Sequence, residues 1–197
     1  MKKNGLGQTK YAGLIFVACV IFACSETGGV NNVPETVALE KSTLTEEDAA
    51  KQLIKDIEKT ESELASSSGE KAMALRKRVI DFYANYSEIF PNDARTPEMS
   101  FKAGNESVNI EDFKSALHFY SLVEQRYTEY QKRAEAIYLQ GFIYDTYTKE
   151  FGLAEAKYTM LIDLYPNHVL AEQAKMSIAN LGMSDEDLIK KFESQNN

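Results

Sequence analysis

The sequence predicts an all-α protein built as a stack of antiparallel helix pairs, with one further helix at the carboxyl end. Three observations support this prediction. From Thr45 onward, apolar residues recur at helical spacing, as at Ala49, Leu53 and Ile57. No segment alternates apolar and polar residues in the manner of a strand. A pattern centred on tyrosine recurs every 37 or 38 residues, which is typical of helical repeats.

The amino terminus has the layout of a secretory signal. Lys2, Lys3 and Lys10 precede an apolar run over Leu14–Ala23, which is shorter than the roughly 20 residues that span a bilayer. The junction Ile21-Phe22-Ala23-Cys24 resembles the lipobox of bacterial lipoproteins, in which cleavage directly precedes a lipidated cysteine. The resemblance implies a mature chain that begins at Cys24 and is anchored to a membrane by acyl chains.

Two other interpretations of this region stay open. Phe16-Val17-Ala18-Cys19 has a similar shape, although cleavage there would leave the apolar stub Val20–Ala23 on the mature protein. An ordinary secreted protein cleaved after Ala23 would instead carry a free cysteine. By the lipoprotein resemblance, Ser25 rather than Asp behind the lipidated residue implies sorting to the outer membrane, on its periplasmic face or at the cell surface.

Charge and composition restrict the partners and divide the chain. Of 22 Lys and Arg, a cut before Cys24 removes three, which leaves 19 basic against 30 acidic residues. Phosphate backbones repel such a chain, so we expect no nucleic-acid partner. Anionic headgroups repel it too, so the lipid must provide the membrane attachment. We predict a signal peptide over 1–23, a flexible tether over 24–44, and a helical domain over 45–197.

Capping and breaking residues predict the helix boundaries. Thr45 with Asp48 resembles a capping box, and Ser66-Ser67-Ser68-Gly69 ends the helix that it opens. Pro91 ends the next helix. The predicted helices cover 46–65, 72–89, 98–106, 112–127, 133–148, 154–165, 169–180 and 184–192.

The internal repeat is marked by three tyrosines, spaced 37 and 38 residues apart: Tyr83, Tyr120 and Tyr158. Pro91 and Pro166 lie eight residues after the first and third tyrosines, whereas the second copy has Thr128. Gly104 and Gly141 lie in predicted helices upstream of the second and third tyrosines. A helical glycine costs about 1 kcal/mol relative to alanine, so we expect close helix–helix approach as the compensation. We also expect the second and third tyrosines to fill the space between adjacent pairs.

These residues resemble the tetratricopeptide repeat, which has a small residue in its first helix, alanine and an aromatic residue in its second, and proline at the end. The resemblance covers about Glu46–Leu181 and implies a right-handed superhelix of about three repeats plus a carboxyl-terminal capping helix. Together with the lipobox, the segment Tyr165-Pro166-Asn167-His168-Val169-Leu170-Ala171 resembles the sequences of a narrower group of proteins. This group comprises outer-membrane tetratricopeptide lipoproteins related to the β-barrel assembly lipoprotein and the Tol–Pal-associated coordinator.

The resemblance further implies a concave groove lined by the first helix of each pair and by the closing helix. Counted from the two glycines, the expected partner-binding residues are Phe101, Asn105, Glu135, Tyr138, Phe142, Asp145 and Gln173. Aromatic rings supply contact area and polar groups set the register, which suits a peptide segment or a helix of an envelope protein. The tyrosines over 127–147 also suit packing between repeats, and both interpretations stay open.

We expect no active site, no metal and no cofactor. His118 and His168 lack Cys or carboxylate clusters at metal-ligand spacing, and the chain has no Gly-rich phosphate loop and no nucleophile elbow. The expected function is that of a lipid-anchored, non-enzymatic scaffold that binds a protein of the cell envelope and no small-molecule substrate. Outer-membrane assembly is one process in which such a scaffold would act. The alternative is an accessory protein that binds glycan or the cell wall.

Overall fold

The computed structural model describes residues 45–195, in which eight α-helices follow one another and no strand forms. They are α1 (Glu46–Ala65), α2 (Gly69–Ile89), α3 (Thr96–Asn109), α4 (Phe113–Arg126), α5 (Arg133–Thr146), α6 (Phe151–Leu164), α7 (Val169–Asn180) and α8 (Asp185–Gln195). The all-α prediction is confirmed, and each predicted helix has a counterpart. The predicted signal peptide, the predicted tether and Cys24 lie outside the described residues. Within 45–195, no helix has both the length and the apolar character that a bilayer crossing requires.

Hydrogen bonds from capping side chains explain several helix starts. The N–H of Asp48 donates to the Thr45 hydroxyl at 3.1 Å, and this hydroxyl donates to the Asp48 carboxylate at 2.7 Å. Asp112 accepts from the N–H of Ser115 at 3.1 Å, which caps α4. His168 Nδ1 accepts from the backbone N–H two residues later at 3.2 Å, which caps α7. These contacts satisfy N–H groups that have no partner within the helix.

Some boundaries differ from the prediction by a few residues. α3 begins at Thr96 rather than at residue 98, because Pro97 is tolerated in a first turn, where its missing N–H has no helical partner. α6 begins at Phe151 rather than at residue 154. Lys149 takes a left-handed φ of 57° that turns the chain, and Glu150 then occupies the N-cap position.

Each helix from α1 to α6 packs against the next one along the chain, and α5 also contacts α7. The apolar core forms three clusters along this series. One lies mainly between α1, α2 and α3 around Ile57 and Tyr86. A second joins α3, α4 and α5 around Tyr120, and a third joins α5, α6 and α7 around Tyr158. Every cluster includes residues from a neighbouring pair, as expected for repeats that cannot bury their apolar faces alone.

The backbone repeats along with the sequence. α2, α4 and α6 each end at an aromatic C-cap, Phe90, Tyr127 and Tyr165, with φ of −118°, −115° and −134° and ψ of 56°, 60° and 58°. The turns within the second and third pairs share a left-handed residue, Glu111 with φ of 60° and Lys149 with φ of 57°. The middle copy therefore keeps the geometry of its neighbours without a proline at its end.

The helical glycines lie where the sequence predicts close approach. A Cβ on Gly104 would lie 2.5 Å from Tyr120 Cε1, and one on Gly141 would lie 2.7 Å from Tyr158 Cε1. Each ring thus presses on the first helix of its own pair, because the glycine leaves room there. The sequence placed these rings only in the space between adjacent pairs. Each ring in fact fills the space beside the glycine of its own pair, and it also belongs to a core cluster that includes residues of the next pair.

Candidate functional site

An open cleft of about 620 Å³ lies between α5, α7 and the segment that leads into α8. Three residues predicted from the sequence line it: Tyr138 and Asp145 from α5, and Gln173 from α7. The other lining residues are Lys149, Phe151, Met176, Ser177, Asn180, Gly182, Met183, Ser184 and Leu188.

Helical spacing explains why these residues converge. Tyr138 and Asp145 are seven residues apart and therefore share a face of α5, as Gln173 and Ser177 share a face of α7. The buried Ala174 belongs to the same core cluster as residues of α5 and α6, and its small side chain permits the contact between α5 and α7. Packing of the two helices thus brings the two polar faces to the same cleft.

Tyr138 forms part of the cleft wall and is anchored by the core. Its ring centroid lies 5.5 Å from that of Tyr158, with an interplanar angle of 46°. Tyr158 itself is 0% exposed and is packed against Gly141. The half-buried Tyr138 therefore offers one part of its ring to the cleft from a fixed position.

The carboxylate of Asp145 is the least compensated charge in this cleft. Asp145 is half-buried, and the described part of the chain gives it no hydrogen bond and no ion pair. Burial raises its pKa above the ordinary value, and the charge of Lys149 opposes this shift from a distance. Lys149 is exposed at the cleft edge, where water screens its charge.

A buried hydroxyl lies directly behind the cleft wall. The Tyr158 hydroxyl has no hydrogen-bond partner within the described residues. Burial raises its pKa to about 12; the nearby Ser177 side chain lowers it, and Asp145 and Tyr138 raise it further. Ser177 is thus close to this hydroxyl but does not reach hydrogen-bond geometry.

The remaining predicted residues lie elsewhere. Phe101 is 3% exposed, and its ring packs 5.7 Å from that of Tyr120, with Lys132 Nζ 4.9 Å from its centroid. The prediction that Phe101 lines an exposed groove is therefore wrong, because the ring faces α4 and the start of α5. Glu135 and Phe142 are exposed on α5 but do not line the cleft.

Asn105 lies in a different cleft. It accepts a hydrogen bond from the Tyr120 hydroxyl at 2.7 Å. It also lines an open space of about 510 Å³ between α1, α2 and α3, beside Glu61 and Lys102. The predicted residues therefore do not form one groove. Only Tyr138, Asp145 and Gln173 come together, whereas Asn105 lines another cleft, Glu135 and Phe142 line neither of these two clefts, and Phe101 is buried.

Several cleft residues were not predicted from the sequence. Met176, which is 60% exposed, lies three residues after Gln173 on the same face of α7, so the helical count could have found it. Lys149 and Met183 lie in turns beside helix ends. No periodic pattern selects them, because a turn conformation decides where they point.

A larger open cleft of about 730 Å³ lies between α4 and α6, but its most buried charges are already paired. The Glu124 carboxylate lies 2.5 Å from Lys157 Nζ and accepts from Gln140 Nε2 at 2.7 Å. Arg133 Nε donates to the Glu124 carbonyl at 2.8 Å. We therefore consider the cleft at Asp145 the stronger candidate.

The described residues contain no cluster of three or more His, Cys, Asp and Glu that could hold a metal ion. His118 is exposed on α4 with its ring 5.4 Å from Phe119, and His168 caps α7. Neither histidine lines the cleft.

Comparison with protein-family models, with curated proteins and with solved structures finds no match for this chain.

Proposed function

We propose that this chain is a lipid-anchored binding scaffold of the cell envelope, and that the cleft between α5, α7 and α8 holds a segment of a protein partner. The observation that carries the proposal is the convergence of Tyr138, Asp145 and Gln173 in one open cleft. A cleft that combines aromatic rings with a few polar groups is typical of peptide recognition.

The lining has the composition of a protein-binding surface. Tyr138 and Phe151 supply aromatic area, and Met176 and Met183 supply flexible thioether side chains that adapt to a partner. Gln173 can donate and accept hydrogen bonds through its exposed amide. Such a lining favours a segment that brings both apolar and polar side chains.

Packing behind the cleft favours binding to a preorganised surface. α5 is held against α6 by the contact between Gly141 and Tyr158, and α7 joins the same core cluster through Ala174. A rigid wall loses little conformational entropy when a partner binds, which leaves more of the contact energy for affinity.

The sequence supports the anchor. A lipid on Cys24 and the tether predicted over 24–44 would keep the helical domain near a membrane. The resemblance to outer-membrane tetratricopeptide lipoproteins supports an envelope partner at the outer membrane. In this proposal the protein catalyses no reaction and acts by holding its partner at a limited distance from the lipid.

Cross-linked affinity capture of the full chain from membranes of its own host tests the proposal. The unaltered chain is compared with a double variant, Gln173→Arg and Met176→Arg. Both positions are exposed, so the longer charged side chains fill the cleft without entering the core. We expect a stoichiometric envelope protein with the unaltered chain, and a loss of about tenfold or more, equivalent to about 1.4 kcal/mol, with the variant.

The matched control is Val169→Arg, which lies on the same helix, is 69% exposed and does not line the cleft. It should capture the partner normally. Equal capture by the control and the double variant would reject the cleft as the binding site. Binding of the full chain to purified cell-wall sacculi, with no protein captured, would favour the glycan-binding alternative.

A further inference from the structure

The repeat tyrosines of the first two helix pairs, Tyr83 and Tyr120, share a hydrogen-bonding arrangement. Each of these two hydroxyls donates to a side chain on the first helix of its own pair. Tyr83 donates to the Glu61 carboxylate, and Tyr120 donates to Asn105 Oδ1 at 2.7 Å. Asn105 directly follows the glycine on which the Tyr120 ring packs. In these two pairs the repeat tyrosine therefore has a partner within its own pair, although the Tyr86 hydroxyl of α2 and the Ser107 hydroxyl of α3 are also buried without a partner among the described residues.

The third pair departs from this arrangement. The residue that directly follows Gly141 is Phe142, whose side chain cannot accept a hydrogen bond. The Tyr158 hydroxyl is consequently buried without a partner, beside Ser177 at the wall of the cleft. A buried polar group without a hydrogen bond is costly, so such a group often marks a place where another molecule contributes.

Asp145 is a second group without a partner at the same wall. It lies four residues after Gly141, one helical turn further along α5, and its charge acts on the Tyr158 hydroxyl. Two other half-buried carboxylates, Glu61 and Glu98, have lysine partners at 2.7 and 3.2 Å, whereas Asp56 and Glu63 have no ion pair within the described chain. Asp145 likewise has no cation of that part of the chain within ion-pair distance, and the charge of Lys149 acts on it only from further away.

We infer that the cleft receives an arginine side chain from the protein partner, with its guanidinium paired to Asp145 and its plane against the ring of Tyr138. This inference rests on the proposed function and adds the chemistry of the bound segment. A planar guanidinium can donate two parallel hydrogen bonds to a carboxylate and can stack on an aromatic face. Its remaining N–H groups can reach Ser177, whose hydroxyl can turn toward that of Tyr158.

The net charge of the chain favours a cation. The whole chain has a net charge of −8, so its field attracts basic segments and repels acidic ones. Two lysines oppose this attraction. Lys191 of α8 donates to Asn180 Oδ1 at 2.7 Å and to the Ala179 carbonyl at 3.0 Å, which holds its ammonium at the end of α7. Lys149 is exposed, so water screens its charge. The flexible Met176 and Met183 suit apolar residues next to the arginine.

Fluorescence anisotropy with labelled peptides tests the inference on the full chain in mild detergent. The probes are acetyl-Leu-Ala-Arg-Ala-Leu-amide and two versions in which citrulline or glutamate replaces arginine. Citrulline keeps the shape of arginine without its charge. We expect the arginine peptide to bind at least about tenfold more tightly than the citrulline peptide, and the glutamate peptide to bind least.

Asp145→Asn should remove the difference between arginine and citrulline, whereas Asp163→Asn should preserve it. Asp163 is a matched control because it is an exposed acid of α6 in the other cleft. Equal affinity for arginine and citrulline, a difference that survives Asp145→Asn, or no binding of any peptide up to about 1 mM would each overturn the inference. A partner captured from membranes by the Asp145→Asn chain, but not by the Gln173→Arg, Met176→Arg chain, would reject arginine recognition and keep the proposed function.

Discussion

At the scale of single residues, two tyrosine rings occupy the space that a side chain would need at Gly104 and Gly141. The Tyr120 and Tyr158 rings are 1% and 0% exposed, so neither can move aside at low cost. The same chain also contains Gly152, at the start of α6, where an added Cβ would meet nothing within 4 Å. We therefore expect an alanine side chain to be tolerated at Gly152 but to collide with a tyrosine ring at Gly104 and Gly141.

We expect Gly141→Ala to lower the free energy of unfolding by about 2 kcal/mol, because overpacking of a core costs about 1–3 kcal/mol. Gly152→Ala should instead raise it by about 0.5 kcal/mol through helix propensity. Urea denaturation of both variants measures the difference. Equal stability of the two would show that the Tyr158 ring can yield, and would contradict the packing described above.

The buried tyrosines allow a second comparison. Tyr120→Phe removes a hydrogen bond and leaves Asn105 without a donor, so we expect a loss of about 1 kcal/mol. Tyr158→Phe removes a hydroxyl without a partner, so it should leave stability unchanged or raise it. Tyr158→Ala should cost about 3 kcal/mol, as is usual when a buried aromatic ring is lost. Thermal and urea unfolding measure all three changes, and a Tyr158→Phe loss as large as that of Tyr120→Phe would reveal a partner for the hydroxyl.

At the scale of the helices, a buried ion pair ties three of them together. Glu124 of α4 has a side chain only 8% exposed, and it is bound by Lys157 of α6 and Gln140 of α5. The carboxylate therefore links the second pair to the third at one point. Its partners come from both helices of the following pair, which makes this contact specific to the order of the repeats.

We expect Lys157→Met to lower stability by about 2 kcal/mol, less than the 3–5 kcal/mol typical of breaking a buried pair, because Gln140 remains bound. Glu124→Gln together with Lys157→Met should recover most of this loss, since no buried charge is left unpaired. A double-mutant cycle by urea denaturation gives the coupling between the two residues. Additive losses would contradict a direct ion pair.

The turn between α2 and α3 provides a dependence on pH. Arg95 binds the Asp93 carboxylate through its backbone N–H at 2.9 Å and its side chain at 2.8 and 2.9 Å. These hydrogen bonds hold the pKa of Asp93 well below its usual range. Because the folded pKa is depressed, the stabilisation is present above the unfolded value of about 3.9 and is lost as the pH falls below it.

Asp93→Asn should therefore destabilise the protein by about 1 kcal/mol at pH 6, an amount limited by partial exposure of the pair. The gap between the two chains should narrow at pH 3. Urea denaturation at both pH values is the measurement, and the other carboxylates affect both chains equally. A gap that is the same at pH 6 and pH 3 would show that the Asp93 charge does not contribute.

At the scale of the whole molecule, the decisive prediction is the lipid anchor. Cys24→Ala should move the protein from the membrane fraction to the soluble fraction and slow its processing. The chain is acidic and is repelled by anionic headgroups, so the lipid is what attaches it to the membrane. Cell fractionation and the mass of the processed chain are the measurements. Cys19→Ala is the matched control and should stay in membranes. If only Cys19→Ala releases the protein, the lipidated residue is Cys19. If neither variant changes the membrane fraction, the lipoprotein interpretation is rejected.

The sequence by itself determined the helices and their repetition. Caps such as Thr45 and breakers such as Pro91 act within a few residues, so they can be found without knowledge of the fold. Close helix approach at Gly104 and Gly141 could also be anticipated, because glycine inside a helix needs a structural reason. The rings that fill this space, Tyr120 and Tyr158, were instead expected between adjacent pairs. Local chemistry and a periodic pattern were sufficient for these features.

Only the tertiary structure decided which faces remain open. Phe101 and Tyr138 each lie three residues before the helical glycine of successive first helices, yet Phe101 is 3% exposed beneath Tyr130 and Lys132, whereas Tyr138 is half-buried and lines the cleft. Exposure of a helical residue depends on what the following pair places over it, and that depends on loop conformations such as the left-handed turn at Lys149. The cleft at Asp145 forms from three chain segments whose packing no spacing within one helix encodes.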